Sequence, residues 1–173
     1  MIKILDNFFE EKDLKAVQDF ASNKAFYTPR FFNNTEEKNK QNYYGARWNL
    51  DNDSNLEQLF IKQAELKFNI KIKKLDNDSG IDQRNLDHFK PHQDIPEAVI
   101  NIMIMLKGLT EVTNGTVFYH GPINNCTLDI HVGFRENRAI MFPSNHVHSQ
   151  HASKISNLKR YTASLFIKDY EEE

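Results

Sequence analysis

From Ile81 to the end of the chain no window carries helical periodicity. Short runs rich in β-branched and aromatic residues follow one another, separated by turn signals. Residues 99–106 are nearly continuous apolar sequence, which suits a strand covered on both faces. Asn114-Gly115 is a turn ahead of residues 116–119. Residues 128–132 alternate, residues 139–142 are apolar, and residues 161–167 close the series. Short strands at this spacing predict a jelly roll or barrel.

The first half reads differently. Residues 2–5 predict a short strand, and residues 11–21 place Leu14, Val17, Phe20 and Ala21 at helical spacing. Residues 22–42 are polar, contain Pro29 and Asn33-Asn34-Thr35-Glu36-Glu37-Lys38, and read as a loop. Residues 43–50 predict a strand with Tyr43, Gly45, Arg47 and Asn49 on one face and Tyr44, Ala46, Trp48 and Leu50 on the other. Ser54-Asn55-Leu56-Glu57 fits a capping box for a helix that runs through Leu59, Phe60, Gln63 and Leu66 to about Phe68. Ile70 and Ile72 begin a strand ending at Asp76-Asn77-Asp78-Ser79-Gly80. The expectation is one mainly β domain over residues 1–173. Residues 1–80 form a helical and strand support, with two or more helices packed against a core built from residues 81–168.

The chain has 173 residues, 39% hydrophobic and 27% charged, a globular composition. A net charge of -2 gives no electrostatic case for nucleic acid. No apolar run approaches the roughly 20 residues that span a bilayer. Met1-Ile2-Lys3-Ile4-Leu5-Asp6 becomes charged too quickly for a signal peptide. Cys126, the single cysteine, forms no internal disulfide and has no neighbour that would make it a nucleophile. A cytoplasmic protein acting on a small molecule or peptide, with no nucleic-acid or membrane partner, is expected.

The chemistry concentrates in the histidines: His88, His92, His120, His131, His146, His148 and His151. In His92-Gln93-Asp94 an imidazole and a carboxylate stand two residues apart, so in extended backbone both point the same way. With one distant histidine they make a 2-His-1-carboxylate set, which covers one face of an octahedral Fe(II) and leaves the other open. A surface turn after Pro91 is the bland alternative. His146, His148 and His151 compete for the third position, and strand parity does not separate the first two. Arg160 stands at the head of an apolar strand, where a guanidinium is costly unless it meets an anion. Its planar fork suits a carboxylate. A solvated strand entrance at Lys159-Arg160 is the alternative.

His92-Gln93-Asp94, Thr113-Asn114-Gly115-Thr116-Val117-Phe118-Tyr119, Asn137-Arg138-Ala139-Ile140-Met141-Phe142-Pro143-Ser144, His148 and Arg160-Tyr161-Thr162 occur in one order. Together they resemble the iron(II)/2-oxoglutarate-dependent dioxygenases, particularly the prolyl-hydroxylase-like branch. The likeness is clearest over residues 85–168. It implies a double-stranded β-helix with Fe(II) in its mouth, held by His92, Asp94 and His148, with His146 or His151 behind them. It also implies 2-oxoglutarate as cosubstrate, its far carboxylate on Arg160 with Thr162 as hydroxyl partner, and O2 as oxidant. Hydroxylation with release of succinate and CO2 follows from that resemblance. Family halogenases replace the carboxylate with a small residue, and Asp94 therefore favours hydroxylation.

Other residues carry less. Tyr119 and Asn101 are candidates to line the cosubstrate pocket. His88 and Lys90 stand near enough to touch substrate, and Trp48 and Tyr44 either pack in the core or cover the mouth. Asn114-Gly115 and Asn137-Arg138 read as turns. The polar stretch at 32–42 is expected to help choose the substrate, for which a peptidyl proline, a small amino acid, a nucleobase or a sugar are all open. Two rivals stand beside the oxygenase. A metal enzyme on the same barrel without 2-oxoglutarate predicts an Arg160 facing solvent. A binding protein on a jelly-roll scaffold tolerates loss of His92.

Overall fold

The computed structural model describes residues 1–32, 42–84, 90–111, 113–151 and 159–172. The chain opens with β1 (Lys3–Leu5) and turns at Asn7, whose φ is 59°. Helix α1 (Glu11–Asp19) turns Val17 inward and runs into a π turn, Phe20–Lys24. There the structure departs from the loop expected over 22–42, because β2 (Thr28–Phe32) pairs with β3 (Asn42–Asn49). Pro29 suggested a break, but β2 is an edge strand, where a missing N–H costs no ladder bond. Residues 33–41 lie outside the described residues.

Helix α2 (Ser54–Phe68) starts one residue earlier than the expected capping box allows. Its cap is Asp53, whose carboxylate accepts from the Asn55 and Leu56 N–H groups at 3.0 and 3.1 Å. Asn69 ends the helix at φ 56°, a left-handed position that asparagine tolerates. The strands follow in chain order: β4 (Ile70–Leu75), β5 (Gly80–Arg84), β6 (Ile100–Lys107), β7 (Gly115–His120), β8 (Thr127–Gly133), β9 (Arg138–Pro143), β10 (His148–His151) and β11 (Arg160–Glu172).

Two antiparallel sheets result. The larger runs β1-β9-β6-β11-β5-β3-β2, with β4 joined to the far half of β11, and the smaller runs β10-β7-β8. Strands from both sides of residue 80 share the larger sheet. The architecture is mainly β, a double-stranded β-helix core carrying two helices. None of the helices among the described residues is long and apolar enough to cross a membrane.

Alternation along the large sheet decides where everything lies. Ile102, Ile104 and Leu106 of β6, with Ala163, Leu165 and Ile167 of β11, join a core that includes Phe60, Ala64 and Phe68 of α2. Trp48 is in that core, ring to ring with Phe20 at 4.7 Å, which settles it as packing rather than a cover over the mouth. The side chain of Tyr44 lies outside the described residues. The opposite face of β6 and β9 supplies Met103, Met105, Ile140 and Phe142, which meet Phe118 and Val132 of the small sheet. Between the sheets there is also a polar sector, built by Arg47, Asp82, Asn101, Arg160, Thr162 and Ser164, all buried.

The N-terminus is tied down by Asn137 (φ 67°), whose side chain accepts from Phe9 N–H and donates to Phe9 C=O, both at 2.8 Å. Arg138 bonds Asp6. Asn137-Arg138 is the expected turn and strand entrance.

Candidate active site

His92 lies in no regular strand. It forms a single antiparallel bridge with His148, each donating its N–H to the other's carbonyl at 2.9 Å. Two residues on, the Asp94 N–H donates to Ser144 C=O at 3.0 Å. These three main-chain bonds pin 92–94 against the start of β10 and the turn that follows β9. The two imidazole centroids stand 4.4 Å apart, and His148 Nε2 lies 3.6 Å from Asp94 Oδ1. One ligand atom from each of His92, Asp94 and His148 falls within 4.8 Å of the others.

Each ring is fixed by its other nitrogen. His92 Nδ1 is 3.0 Å from Lys90 C=O, and His148 Nδ1 is 2.9 Å from His146 C=O. A carbonyl only accepts, so each Nδ1 bears a proton and each Nε2 is turned to the other side of its ring. Burial, then the neighbouring His148 imidazole, depresses His92 to about 3, so it is neutral across the physiological range. Two imidazoles beside a carboxylate are a donor set for a divalent transition metal. Asn101 donates Nδ2–H to Asp94 Oδ2 at 2.8 Å, leaving Oδ1 turned toward His148.

The same cavity is lined across its floor by the large sheet, with Asn101, Arg160, Thr162 and Ser164 among its walls. Arg160 is 2% exposed, so it is no solvated strand entrance. It donates from Nη1 to Gly115 C=O at 2.8 Å and from Nη2 to Thr116 Oγ1 at 3.3 Å, while its Nε is buried without a partner. Its carbon lies 5.0 Å from the Phe134 ring. Of five N–H donors two are used, and among the described residues Arg160 makes no ion pair. Burial, followed by the charge of Arg84, pushes it down to about 9. A buried, half-satisfied guanidinium aimed into a cavity is a seat for an anion.

The remaining candidates separate. His146 lends its carbonyl to His148 and packs its ring on Phe118 at 5.5 Å, and His151 packs on His131 at 5.6 Å. Neither joins the cluster of His92, Asp94 and His148. Asn101 and Thr162 line the cavity. Tyr119 sits elsewhere: His148 and Gln150 face the cavity, Ser149 between them faces away, and the Tyr119 hydroxyl meets Ser149 Oγ at 2.8 Å. Lys90 is exposed and holds His92 through its carbonyl, and His88 lies outside the described residues. Sequence reasoning missed Arg47, Arg84 and Gln150 as cavity residues. The signal was there in the strand reading of 43–50, which set Arg47 on the face away from Trp48.

No family model matches the chain, and no curated protein matches it in sequence. Solved structures do. A 2OG-Fe(II) oxygenase family oxidoreductase from Burkholderia pseudomallei is 13% identical, with a TM-score of 0.63 over 99% of this chain and 85% of that one. HygX from Streptomyces hygroscopicus, with nickel and 2-oxoglutarate bound, is 10% identical at 0.65, over 99% of this chain and 82% of that one. A prolyl hydroxylase from Trichoplax adhaerens, in complex with a hypoxia inducible factor peptide, is 11% identical at 0.61, over 96% and 82%. The chain has the fold of the 2OG-Fe(II) oxygenases.

Proposed function

We propose that the protein is an Fe(II)/2-oxoglutarate-dependent oxygenase that hydroxylates a C–H bond of an organic substrate. The observation that carries this reading is one cavity holding two imidazoles and a carboxylate within 4.8 Å, together with a buried guanidinium that has no counter-ion among the described residues. His92 Nε2, His148 Nε2 and one oxygen of Asp94 would hold the metal. When bound, Fe(II) and 2-oxoglutarate supply the chemistry that couples decarboxylation to succinate and CO2 with insertion of one oxygen atom from O2 into the substrate.

The chain's own residues do the rest. Arg160 binds the far carboxylate with its unspent donors, and the Thr162 hydroxyl, two residues on and also lining the cavity, adds a further donor. Asn101 fixes the carboxylate plane of Asp94, a support of the kind that tunes metal affinity. Phe118 and Phe142 pack on the His148 ring at 6.0 and 4.8 Å and keep water from that side. The carboxylate at Asp94 fills the position that family halogenases leave to a small residue, so hydroxylation is the reaction assigned. A similar structure with nickel and 2-oxoglutarate bound, and a prolyl hydroxylase of the same fold, support the reading.

The test is succinate release over a library of amino acids, peptides, nucleobases and sugars. The expected result is production that needs iron, O2 and one library member together. Succinate independent of iron, or none with any member, would count against the assignment.

A further inference from the structure

Arg160 is held on three sides. The Phe134 ring lies 5.0 Å from its central carbon, Nη1 donates to Gly115 C=O at 2.8 Å, and Nη2 donates to Thr116 Oγ1 at 3.3 Å. The ring contact fixes the plane of the fork, and the two hydrogen bonds fix its rotation within that plane. Gly108 leaves room for the ring, since a Cβ there would stand 3.0 Å from it. Gly115 C=O belongs to the main chain, so the remaining support is one side-chain hydroxyl.

That hydroxyl, on a residue only 1% exposed, has a single proton to give. A guanidinium only donates, so Thr116 Oγ1 accepts from Nη2 and its own hydrogen goes elsewhere. It goes to Met103 Sδ at 3.8 Å, a weak but polarizable acceptor. The hydrogen bonds from Arg160 through Thr116 to Met103 therefore run one way, and the thioether turns the Thr116 lone pairs toward the guanidinium. Thr116 stands on β7 in the small sheet and Met103 on β6 in the large one, so the contact spans the two walls of the cavity. All three residues line that cavity together with His92, Asp94 and His148.

A 2-oxo diacid has to reach from the metal ligands to the fork of Arg160, so the height of the fork sets the length of acid that fits. Without the Thr116 hydroxyl, Nη2 becomes a buried charged donor with no acceptor, and the guanidinium turns about its Gly115 contact in search of one. We infer that Thr116, steadied by Met103, is a positioning residue that fixes Arg160 in the cavity and thereby selects the chain length of the 2-oxo diacid. This rests on the oxygenase reading, and the test separates the two.

Calorimetry on the full chain uses two probes: glutarate on the metal-free protein, and 2-oxoglutarate on protein loaded with Fe(II) without oxygen. Thr116→Val, which keeps the shape and removes the hydroxyl, should weaken both roughly 10- to 100-fold and leave Fe(II) affinity within about twofold. Thr116→Ser should restore both to within about threefold of the wild type. The wild-type preference for 2-oxoglutarate over 2-oxoadipate, one methylene longer, should shrink roughly threefold or more in the valine variant. A hydroxyl that served packing alone would leave that ratio unmoved. Met103→Leu should weaken both probes about two- to fivefold in the wild type and cost nothing further in the Thr116→Val background. It decides the matter alone should the valine variant not fold. Unchanged or tighter binding in Met103→Leu, which frees the Thr116 proton for the anion, would make Thr116 a direct ligand and overturn the inference. So would an unaltered ratio in Thr116→Val, or an equal cost of Met103→Leu in both backgrounds. Glutarate binding that depends on Thr116, with no gain from Fe(II) and the 2-oxo group, would instead sink the oxygenase reading and leave the positioning role standing. A wild type that takes neither probe would end both.

Discussion

Asp94 divides its two oxygens between different duties. Oδ2 accepts from Asn101, whose other side-chain atom, Oδ1, is buried without a partner, and Oδ1 of Asp94 faces His148 Nε2. Asp94→Ala should abolish iron-dependent succinate release while circular dichroism and cooperative unfolding stay those of the wild type, because the fold does not depend on this carboxylate. Asn101→Ala is expected to weaken Fe(II) binding by about 10- to 100-fold without abolishing it, read as a dissociation constant in the absence of cosubstrate. An unchanged constant would leave Asn101 a mere wall of the cavity. His92, Asp94 and Arg160 were legible because residue type and spacing alone raise the question of what they meet. Strand parity could not separate His148 from His146, and the family resemblance alone favoured His148. Both lie in the same short segment, and only the bridge to His92 turns one ring toward the cavity while the other settles on Phe118.

At the scale of elements, β7 depends on having no side chain at its first position. A Cβ on Gly115 would stand 2.2 Å from Val132 C=O and 2.8 Å from His131 Nε2, so β8 would have to move. Gly115 C=O also receives Arg160, which makes this strand start a support for the anion seat. Gly115→Ala should therefore cost about 2–4 kcal/mol of stability in denaturant unfolding and also weaken 2-oxoglutarate binding. A neutral substitution would show that β7 and β8 have slack there. Asn114-Gly115 looked like hairpin chemistry, and the structure gives the glycine a steric reason instead. Apolar runs such as β6 and β11 were plain in the sequence because the core covers them. β2 was hidden by its proline. β10, His-Ser-Gln-His, shows no apolar pattern because one of its faces lines the cavity and the other carries Ser149.

Across the whole molecule, the space between the sheets is apolar at one side and densely charged at the other, and this shapes the response to acid. His92 is neutral in the folded protein down to about pH 3, whereas an unfolded chain protonates it near 6.5. Above that value the group contributes nothing to the pH dependence. As pH falls from 6.5 toward 3, the unfolded state gains a proton that the folded state does not, and stability drops. His92 accounts for about 2 kcal/mol of loss by pH 5. Asp82 acts in a lower window: burial opposes its ionisation, but Arg47 and Arg84 hold it below the ordinary 3.8, so its contribution persists until pH falls through its folded value. Metal-free protein should thus lose stability between pH 6.5 and 5, before its carboxylates titrate, and His92→Gln should flatten that slope. The barrel itself was legible from strand count and spacing. The burial of Arg47 and Asp82 in its floor, with Arg84 half-buried beside them, was not, because strand pairing brings them together across the sheet.

The proposed function requires His92, Asp94 and His148 to meet on one divalent cation. Anaerobic titration with Fe(II) tests it most directly. The wild type should bind one equivalent, His92→Ala and His148→Ala should each weaken binding by at least about 100-fold, and His146→Ala should change it only a few-fold. Binding that survives His148→Ala, or disappears in His146→Ala, would contradict the account.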